Sequence, residues 1–115
     1  MKIDIILPVN NPRILTAQDL KQLNLPAEIQ CSIRLPNNNL LEITNADEEV
    51  AVTPSIIEAV LLSAKRGVDA VIVYCFGEPG VEEARSNVET PVFGIAAPAM
   101  HIAAQLGKYF AVLLL

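Results

Sequence analysis

Residues 69–80 read DAVIVYCFGEPG. The apolar run at residues 71–75 is uninterrupted and rich in β-branched side chains, which predicts a strand covered on both faces of a parallel sheet. The glycines and the proline that follow predict a turn, and residues 81–87 are typical of a short helix. Cys75 is therefore expected at the carboxyl end of a buried strand, immediately before a glycine-rich turn.

The sequence before this strand alternates between strand and helix patterns. Residues 3–7 form a short apolar run that ends at Pro8, which predicts a first buried strand. Residues 16–19 resemble a capping box at the start of a short helix. Residues 28–35 alternate strictly between apolar and polar side chains, which predicts a strand at the sheet edge with one face in water.

The connection to the central strand contains the longest irregular segment in this interpretation. Residues 36–52 are polar and predict a long loop, in which the acidic residues 47–49 form a solvated cluster. Thr53 and Pro54 predict a helix start with proline at the first helical position. Gly67 is expected to end that helix after two cationic residues.

The remaining elements complete an alternating pattern. Residues 92–95 predict a strand, residues 98–106 a helix, and residues 110–115 a last strand-like run. We therefore expect a single α/β domain over residues 1–115, with three layers and a mostly parallel sheet of four to five strands in the flavodoxin-like order 2-1-3-4(-5). In that order, the loops after strands one and three meet at the switch point where ligands bind.

Composition excludes several classes of function. Acidic residues exceed basic ones by 13 to 8, giving a net charge of −5 and no basic stripe, which argues against nucleic acid as a partner. No apolar run is long enough to span a membrane, and the amino terminus does not resemble a signal peptide. Cys31 and Cys75 are therefore expected to be reduced thiols in the cytoplasm. One histidine and two distant cysteines give no metal-ligand spacing, so we expect no metal.

The position of Cys75 favours chemistry at its thiol. Amide N–H groups and the positive end of the next helix are expected to stabilise a thiolate and to lower the pKa of Cys75 from its usual value of about 8.5. Gly77 and Gly80 would let the backbone approach a bound anion closely. The alternative is a small apolar residue that closes a strand, which is the usual role of a free cysteine. Position alone leaves both interpretations open.

The same stretch carries a resemblance to a known family. Residues 69–80 resemble the first-cysteine motif of the Asp/Glu racemase superfamily, closest to its hydantoin racemase branch. The sequences PVFGI at residues 91–95, AMHIA at residues 99–103 and LPVN at residues 7–10 are also similar to that branch. The resemblance extends over nearly the whole chain, and its most specific part lies between residues 67 and 107.

The resemblance implies racemisation or isomerisation of amino-acid-like substrates without a cofactor, with a small carboxylate or a hydantoin as substrate. In this family two similar α/β domains each contribute one cysteine, because inversion needs an acid/base on either face of the carbon. Residues 1–115 would correspond to the N-terminal half of such an enzyme, as a half-enzyme or a truncated chain. Cys75 would be one acid/base. Asn10 would hold the substrate's carboxylate or ring carbonyl, helped by amides at Phe76 and Gly77.

Some residues depart from the family pattern. Glu78 stands where many relatives have aspartate, and Ala97 stands where hydantoin racemases often have glutamate. The second catalytic cysteine of the family is missing. Cys31 does not replace it, because its alternating strand is typical of one that points a small side chain into the core. A non-catalytic α/β domain that binds a small anion is therefore the alternative function. A receiver domain would need acidic residues after the first strand, where residues 8–10 offer none.

Two further residues or segments complete the expectations. His101 is interpreted as a solvent-facing or packing residue on the last helix, although a place at the rim of the site is the alternative. Residues 110–115 are apolar and carry no charge. An exposed strand of this kind is a template for pairing, so we expect a homo-oligomer, most simply a two-fold dimer.

Overall fold

The fold is a four-stranded parallel sheet with helices between the strands, and the computed structural model describes residues 1–113. The strands are β1 (Lys2–Ile6), β2 (Gln30–Arg34), β3 (Ala70–Val73) and β4 (Val92–Phe93). The helices are α1 (Ala17–Lys21), α2 (Ala46–Lys65), α3 (Val81–Arg85) and α4 (Ala96–Leu106). The sheet order β2-β1-β3-β4 confirms the expected α/β class and the order 2-1-3-4. No helix within residues 1–113 is both long enough and apolar enough to cross a membrane.

β1 is an inner strand of the sheet and pairs with a parallel strand on each side. Ile6 of β1 is in register with Arg34 of β2 on one side and with Val73 of β3 on the other. The core forms where the side chains on one face of this sheet meet α2 and α3. Its fully buried members include Ile6, Val73 and, from α2, Ile56. Burial of each such side chain stabilises the fold by about 1.5–3 kcal/mol.

α2 begins earlier than the sequence predicts. Asn45 caps the helix by accepting a hydrogen bond of 2.9 Å from the backbone N–H of Glu48. The Glu48 carboxylate in turn accepts one of 2.7 Å from the N–H of Thr44. Residues 46–52 are therefore helical, and the prediction of a loop up to residue 52 is wrong. Pro54 lies inside the helix, and burial of side chains such as Val52 offsets the hydrogen bond that proline cannot donate.

The other boundaries differ by smaller amounts. β3 ends at Val73, so Cys75 lies two residues beyond the strand instead of being its last residue. α4 begins at Ala96 instead of residue 98. The strand expected at residues 110–115 is not formed at residues 110–113, where the backbone is irregular, and residues 114–115 lie outside the described residues.

A buried carboxylate fastens the centre of the sheet to α2. Asp4 on β1 is 2% exposed and carries the only acidic side chain in the buried set among residues 1–113. Its oxygen Oδ2 lies 3.3 Å from Nε of Arg34 on β2. The same oxygen accepts a hydrogen bond of 2.9 Å from Arg66, the residue that ends α2. Charge pairing makes this burial tolerable.

Candidate active site

The turn that follows β3 holds three of the predicted site residues together. The backbone N–H of Cys75 donates to the carbonyl of Val73 at 3.0 Å, and the N–H of Glu78 donates to the carbonyl of Cys75 at 3.0 Å. Phe76 and Gly77 form the exposed tip of this turn. Glu78 then takes a left-handed conformation with φ of 53°. The thiol of Cys75 is thus presented from a tight turn at the carboxyl edge of the sheet.

The environment of the thiol differs from the sequence expectation. Burial raises the pKa of Cys75, the N–H of Gly77 lowers it, the negative charge of Glu49 raises it, and the N–H of Glu78 lowers it. The net effect is a pKa above the usual value for cysteine, so the expectation of a lowered pKa is wrong. α3 begins only after Gly80 and has five residues, so its positive end does not compensate for burial and the nearby carboxylate.

The loop after β1 is held in place by the segment that follows β2. Asn10 donates its backbone N–H to the carbonyl of Leu40 at 2.9 Å. Asn38 donates from Nδ2 to the carbonyl of Pro8 and to the hydroxyl of Ser55, both at 3.0 Å. Its oxygen Oδ1 accepts from the N–H of Leu40 at 3.1 Å. Sequence analysis did not single out Asn38, whose role depends on these distant partners.

The sheet order brings the two loops to the same edge. β1 and β3 are neighbours, with Ile6 opposite Val73, so Asn10 and Cys75 follow the carboxyl ends of adjacent strands. This edge is the switch point of the fold, where open α/β sheets bind ligands. Asn10 is exposed there, and its side chain has no hydrogen-bond partner within residues 1–113.

The other thiol and the histidine lie elsewhere. Cys31 is in register with Ile3, near the amino ends of the strands, and so lies at the opposite end of the sheet from Cys75. His101 is exposed on α4. Among residues 1–113, no three side chains of the His, Cys, Asp or Glu types are grouped as metal ligands would be.

Glu49 lies against the Cys75 turn, although the sequence predicted that it belongs to a solvated cluster. Its carboxylate, carried by the first turn of α2, rests on the backbone of Gly77. A Cβ atom on residue 77 would lie 2.7 Å from the carboxylate carbon of Glu49. The capping pattern of Asn45 and Glu48 is the sequence signal that could have revealed the helix carrying Glu49.

An acidic cleft of about 650 Å³ adjoins this turn. Its lining includes Glu49 and Glu78, which both also influence Cys75, but it does not include Cys75 itself. The Glu78 carboxylate lies against Gly94 and accepts a hydrogen bond of 3.0 Å from the N–H of Ala97. A carboxylate is thus present at the first turn of α4 even though residue 97 is alanine.

Comparison with known protein families gives a match over most of this chain. The family model described as Asp/Glu/Hydantoin racemase matches residues 32–114. The chain belongs to the Asp/Glu/hydantoin racemase family. This confirms the resemblance that rests on residues 69–80.

Individual members of the family show how much of their length this chain covers. A hydantoin racemase of Rhizobium meliloti is 30% identical over 115 residues, which are 98% of this chain and 47% of that protein. One from Pseudomonas sp. (strain NS671) is 36% identical over 66 residues, or 57% of this chain and 26% of that protein. The chain spans about half the length of the curated relatives it matches, or less.

A solved structure supports the fold independently. The allantoin racemase from Klebsiella pneumoniae superimposes with a TM-score of 0.73 at 23% sequence identity. The match covers 91% of this chain and 43% of that one. The α/β architecture is therefore shared.

Proposed function

We propose that this chain is the Cys75-bearing domain of a cofactor-independent racemase or isomerase of amino-acid-like substrates. The observation that carries the proposal is the position of Cys75 on a tight turn beside the Asn10 loop, at the switch point of a racemase-family sheet. In this role Cys75 exchanges a proton with a carbon next to a carbonyl or carboxylate. The substrate is a small carboxylate or a hydantoin, in keeping with the names of the relatives.

The neighbouring groups have distinct roles in the proposed reaction. Removal of the proton leaves an electron pair that spreads into the adjacent carbonyl, whose oxygen becomes negative. The side-chain amide of Asn10 and the backbone N–H groups at Phe76 and Gly77 are the donors that would hold this oxygen. The exposed face of Phe76 would contact the apolar part of the substrate, since its side chain is 42% exposed at the turn.

Inversion requires a second acid/base on the opposite face of the carbon. Cys31 cannot supply it to Cys75 of the same chain, because it lies at the other end of the sheet. We therefore propose that the second group comes from a second domain, as in a two-domain racemase, or from another copy of this chain in a homo-oligomer. A thiol acid/base must stay reduced, which favours a cytoplasmic location.

The alternative function, binding of a small anion without catalysis, is less well supported. The carboxylates of Glu49 and Glu78 lie next to the Cys75 turn. Arg85, the cation on the lining of the adjoining cleft, donates from Nε to the carbonyl of Val92 at 2.8 Å and faces four carboxylates on the same lining. Such an environment disfavours an anion that brings no positive or N–H donor group of its own.

Solvent deuterium exchange tests the proposed function. The chain is incubated in deuterated water with each enantiomer of a 5-substituted hydantoin, and separately with aspartate and with glutamate, and exchange at the reacting carbon is followed by proton NMR. We expect a monomer to exchange this proton without inverting the carbon. Cys75→Ala should reduce exchange to the rate measured without protein, whereas the matched control Cys31→Ala should retain the faster rate. Exchange above the protein-free rate in Cys75→Ala would refute the proposal.

A further inference from the structure

The carboxylate of Glu49 lies against Gly77, in the space that the Cβ atom of any other residue at position 77 would occupy. A Cβ on residue 77 would lie 2.7 Å from Cδ and 3.1 Å from Oε2 of Glu49. The backbone carbonyl of Glu49 accepts a hydrogen bond of 3.2 Å from the hydroxyl of Thr53. Its carboxylate, by contrast, has no hydrogen-bond donor or cation as a partner in the part of the chain that the structure describes. The negative charge of this half-buried carboxylate beside the turn is therefore not balanced by a donor or a cation among the described residues.

The charged groups around Cys75 are few and have separable effects. Glu49 approaches from α2 and acts on the pKa of Cys75 through its charge. Glu78 approaches from the turn itself, but it acts through its backbone N–H, while its carboxylate binds the N–H of Ala97. The loop after β1 presents Asn10, which is uncharged. Within residues 1–113, Glu49 is therefore the one charge that acts on the thiol.

We propose that Glu49 is a positioning residue that acts through Cys75: its carboxylate, seated on Gly77, adds to burial in favouring the neutral thiol, so that Cys75 begins the reaction ready to donate a proton. With the enantiomer whose hydrogen faces the opposite base, that base takes the proton from the reacting carbon, and the C–H electron pair moves into the carbonyl. As that pair returns to the carbon, the S–H bond of Cys75 breaks and its proton forms the new C–H bond. With the other enantiomer, and in a monomer without the opposite base, the thiol first loses its proton to solvent and the thiolate then takes the proton from the carbon, so Glu49 slows this direction. The donor role of Cys75 rests on the function proposed above, whereas the effect of Glu49 on the thiol does not.

The effect of Glu49 is measurable without substrate, because only the thiolate reacts rapidly with iodoacetamide. The alkylation rate of Cys75 is measured by peptide mass spectrometry between about pH 6 and pH 11, with Cys31 as the internal reference. In Glu49→Gln, which keeps the shape and removes the charge, we expect Cys75 to react about threefold faster near pH 8 and the rate profile to move to lower pH. The rate at Cys31 should not change.

Three further variants separate charge at this place from other effects. Glu58→Gln makes the same change on an exposed turn of α2 and should leave the Cys75 profile unchanged. Glu49→Asp keeps the charge and should retain most of the slow reaction. Gly77→Ala keeps Glu49 but pushes its carboxylate away, so it should accelerate alkylation in the same direction as Glu49→Gln.

The outcomes distinguish this inference from the proposed function. A Cys75 profile in folded Glu49→Gln that matches the unmodified chain overturns the inference, as does an equal acceleration in Glu58→Gln. If Glu49→Gln does not fold, as judged by circular dichroism, an unchanged profile in Gly77→Ala overturns it instead. Deuterium exchange that does not require Cys75 would refute the proposed function. It would not change what the alkylation rates show about Glu49.

Discussion

The side chain of Arg66 donates a hydrogen bond of 2.9 Å from Nη2 to Oδ2 of Asp4, so the end of α2 is joined to the middle of β1. Arg66 also donates to the hydroxyl of Ser63 at 2.9 Å, which orients the guanidinium toward the sheet. The helix that carries Glu49 at its first turn is therefore anchored to the central strand at its last turn. Changes at Asp4 report how much this anchor contributes.

Asp4→Asn should destabilise the fold. The substitution keeps the shape but removes the charge that pairs with Arg34 and Arg66, and it leaves a buried amide among cationic donors. We expect a loss of about 2 kcal/mol, below the cost of breaking a fully buried pair because both arginines can turn to water. Urea unfolding at neutral pH measures the change. Asp69→Asn, the same substitution at an exposed position, should cost less than about 0.5 kcal/mol.

The same carboxylate should make stability depend on acid pH. Burial raises the pKa of Asp4, but hydrogen bonds from Ser63 and Arg66 and the charge of Arg34 lower it more, so its folded pKa is below the usual value. A lowered folded pKa contributes stability that is complete above the unfolded pKa of about 3.9 and is lost as the pH falls through the folded pKa. Urea midpoints measured from neutral pH down to about pH 2 should therefore fall less steeply in Asp4→Asn. Parallel curves for the two proteins would contradict this assignment.

Two glycines with the same backbone conformation should differ in their tolerance of alanine. Gly67 and Gly80 have φ of 78° and 77°, which disfavours any side chain. A Cβ on Gly67 would meet nothing within 4 Å, whereas one on Gly80 would lie 3.1 Å from Cγ1 of Ile57. We expect Gly67→Ala to cost about 1 kcal/mol from backbone strain alone, and Gly80→Ala about 1 kcal/mol more. Thermal unfolding of both variants gives the difference, and equal losses would show that Ile57 yields without cost.

Asn38 should stabilise the fold although it is only partly buried. Asn38→Ala leaves the carbonyl of Pro8 and the N–H of Leu40 without their side-chain partner. Unpaired groups that are partly buried cost about 1–3 kcal/mol, and we expect a loss in that range on urea unfolding. Asn37→Ala, at an exposed neighbouring position, is the matched control and should change stability by less than about 0.5 kcal/mol. Similar losses in both would mean that the bonds of Asn38 do not hold the loop.

The sequence predicts this fold well where local pattern and burial agree. Residues 71–73 are β-branched and apolar, and they form the buried strand that the pattern requires. The strict alternation in residues 28–35 likewise predicted the edge position of β2. The alternation of strands and helices predicted a parallel sheet, and the common order 2-1-3-4, which the structure confirms, brings the Asn10 and Cys75 loops to the same edge.

The errors arise where a tertiary contact outweighs a local signal. Pro54 is a strong indicator of a helix start, but the cap at Asn45 and the burial of Val52 extend α2 past it. The pKa of Cys75 depends on Glu49, which is 26 positions away in the sequence and reaches Gly77 only because those residues are helical. No periodicity within residues 69–80 contains that information.

Pro54 also divides α2 into two parts with different local stability. Proline has no N–H, so the carbonyl of Val50 lacks its helical partner, and the turns before Pro54 are tied to the rest by one hydrogen bond fewer. The turns after it are fixed by the burial of Ile56 and Val60. Local unfolding can therefore release the earlier turns, with the exposure of Val52 as its main cost, at a smaller free energy than global unfolding, and it takes Glu49 off Gly77 while Ile56 and Val60 stay buried. Amide hydrogen exchange before Pro54 thus reports the fluctuation of the charge beside Cys75, and exchange after it reports the stability of the domain.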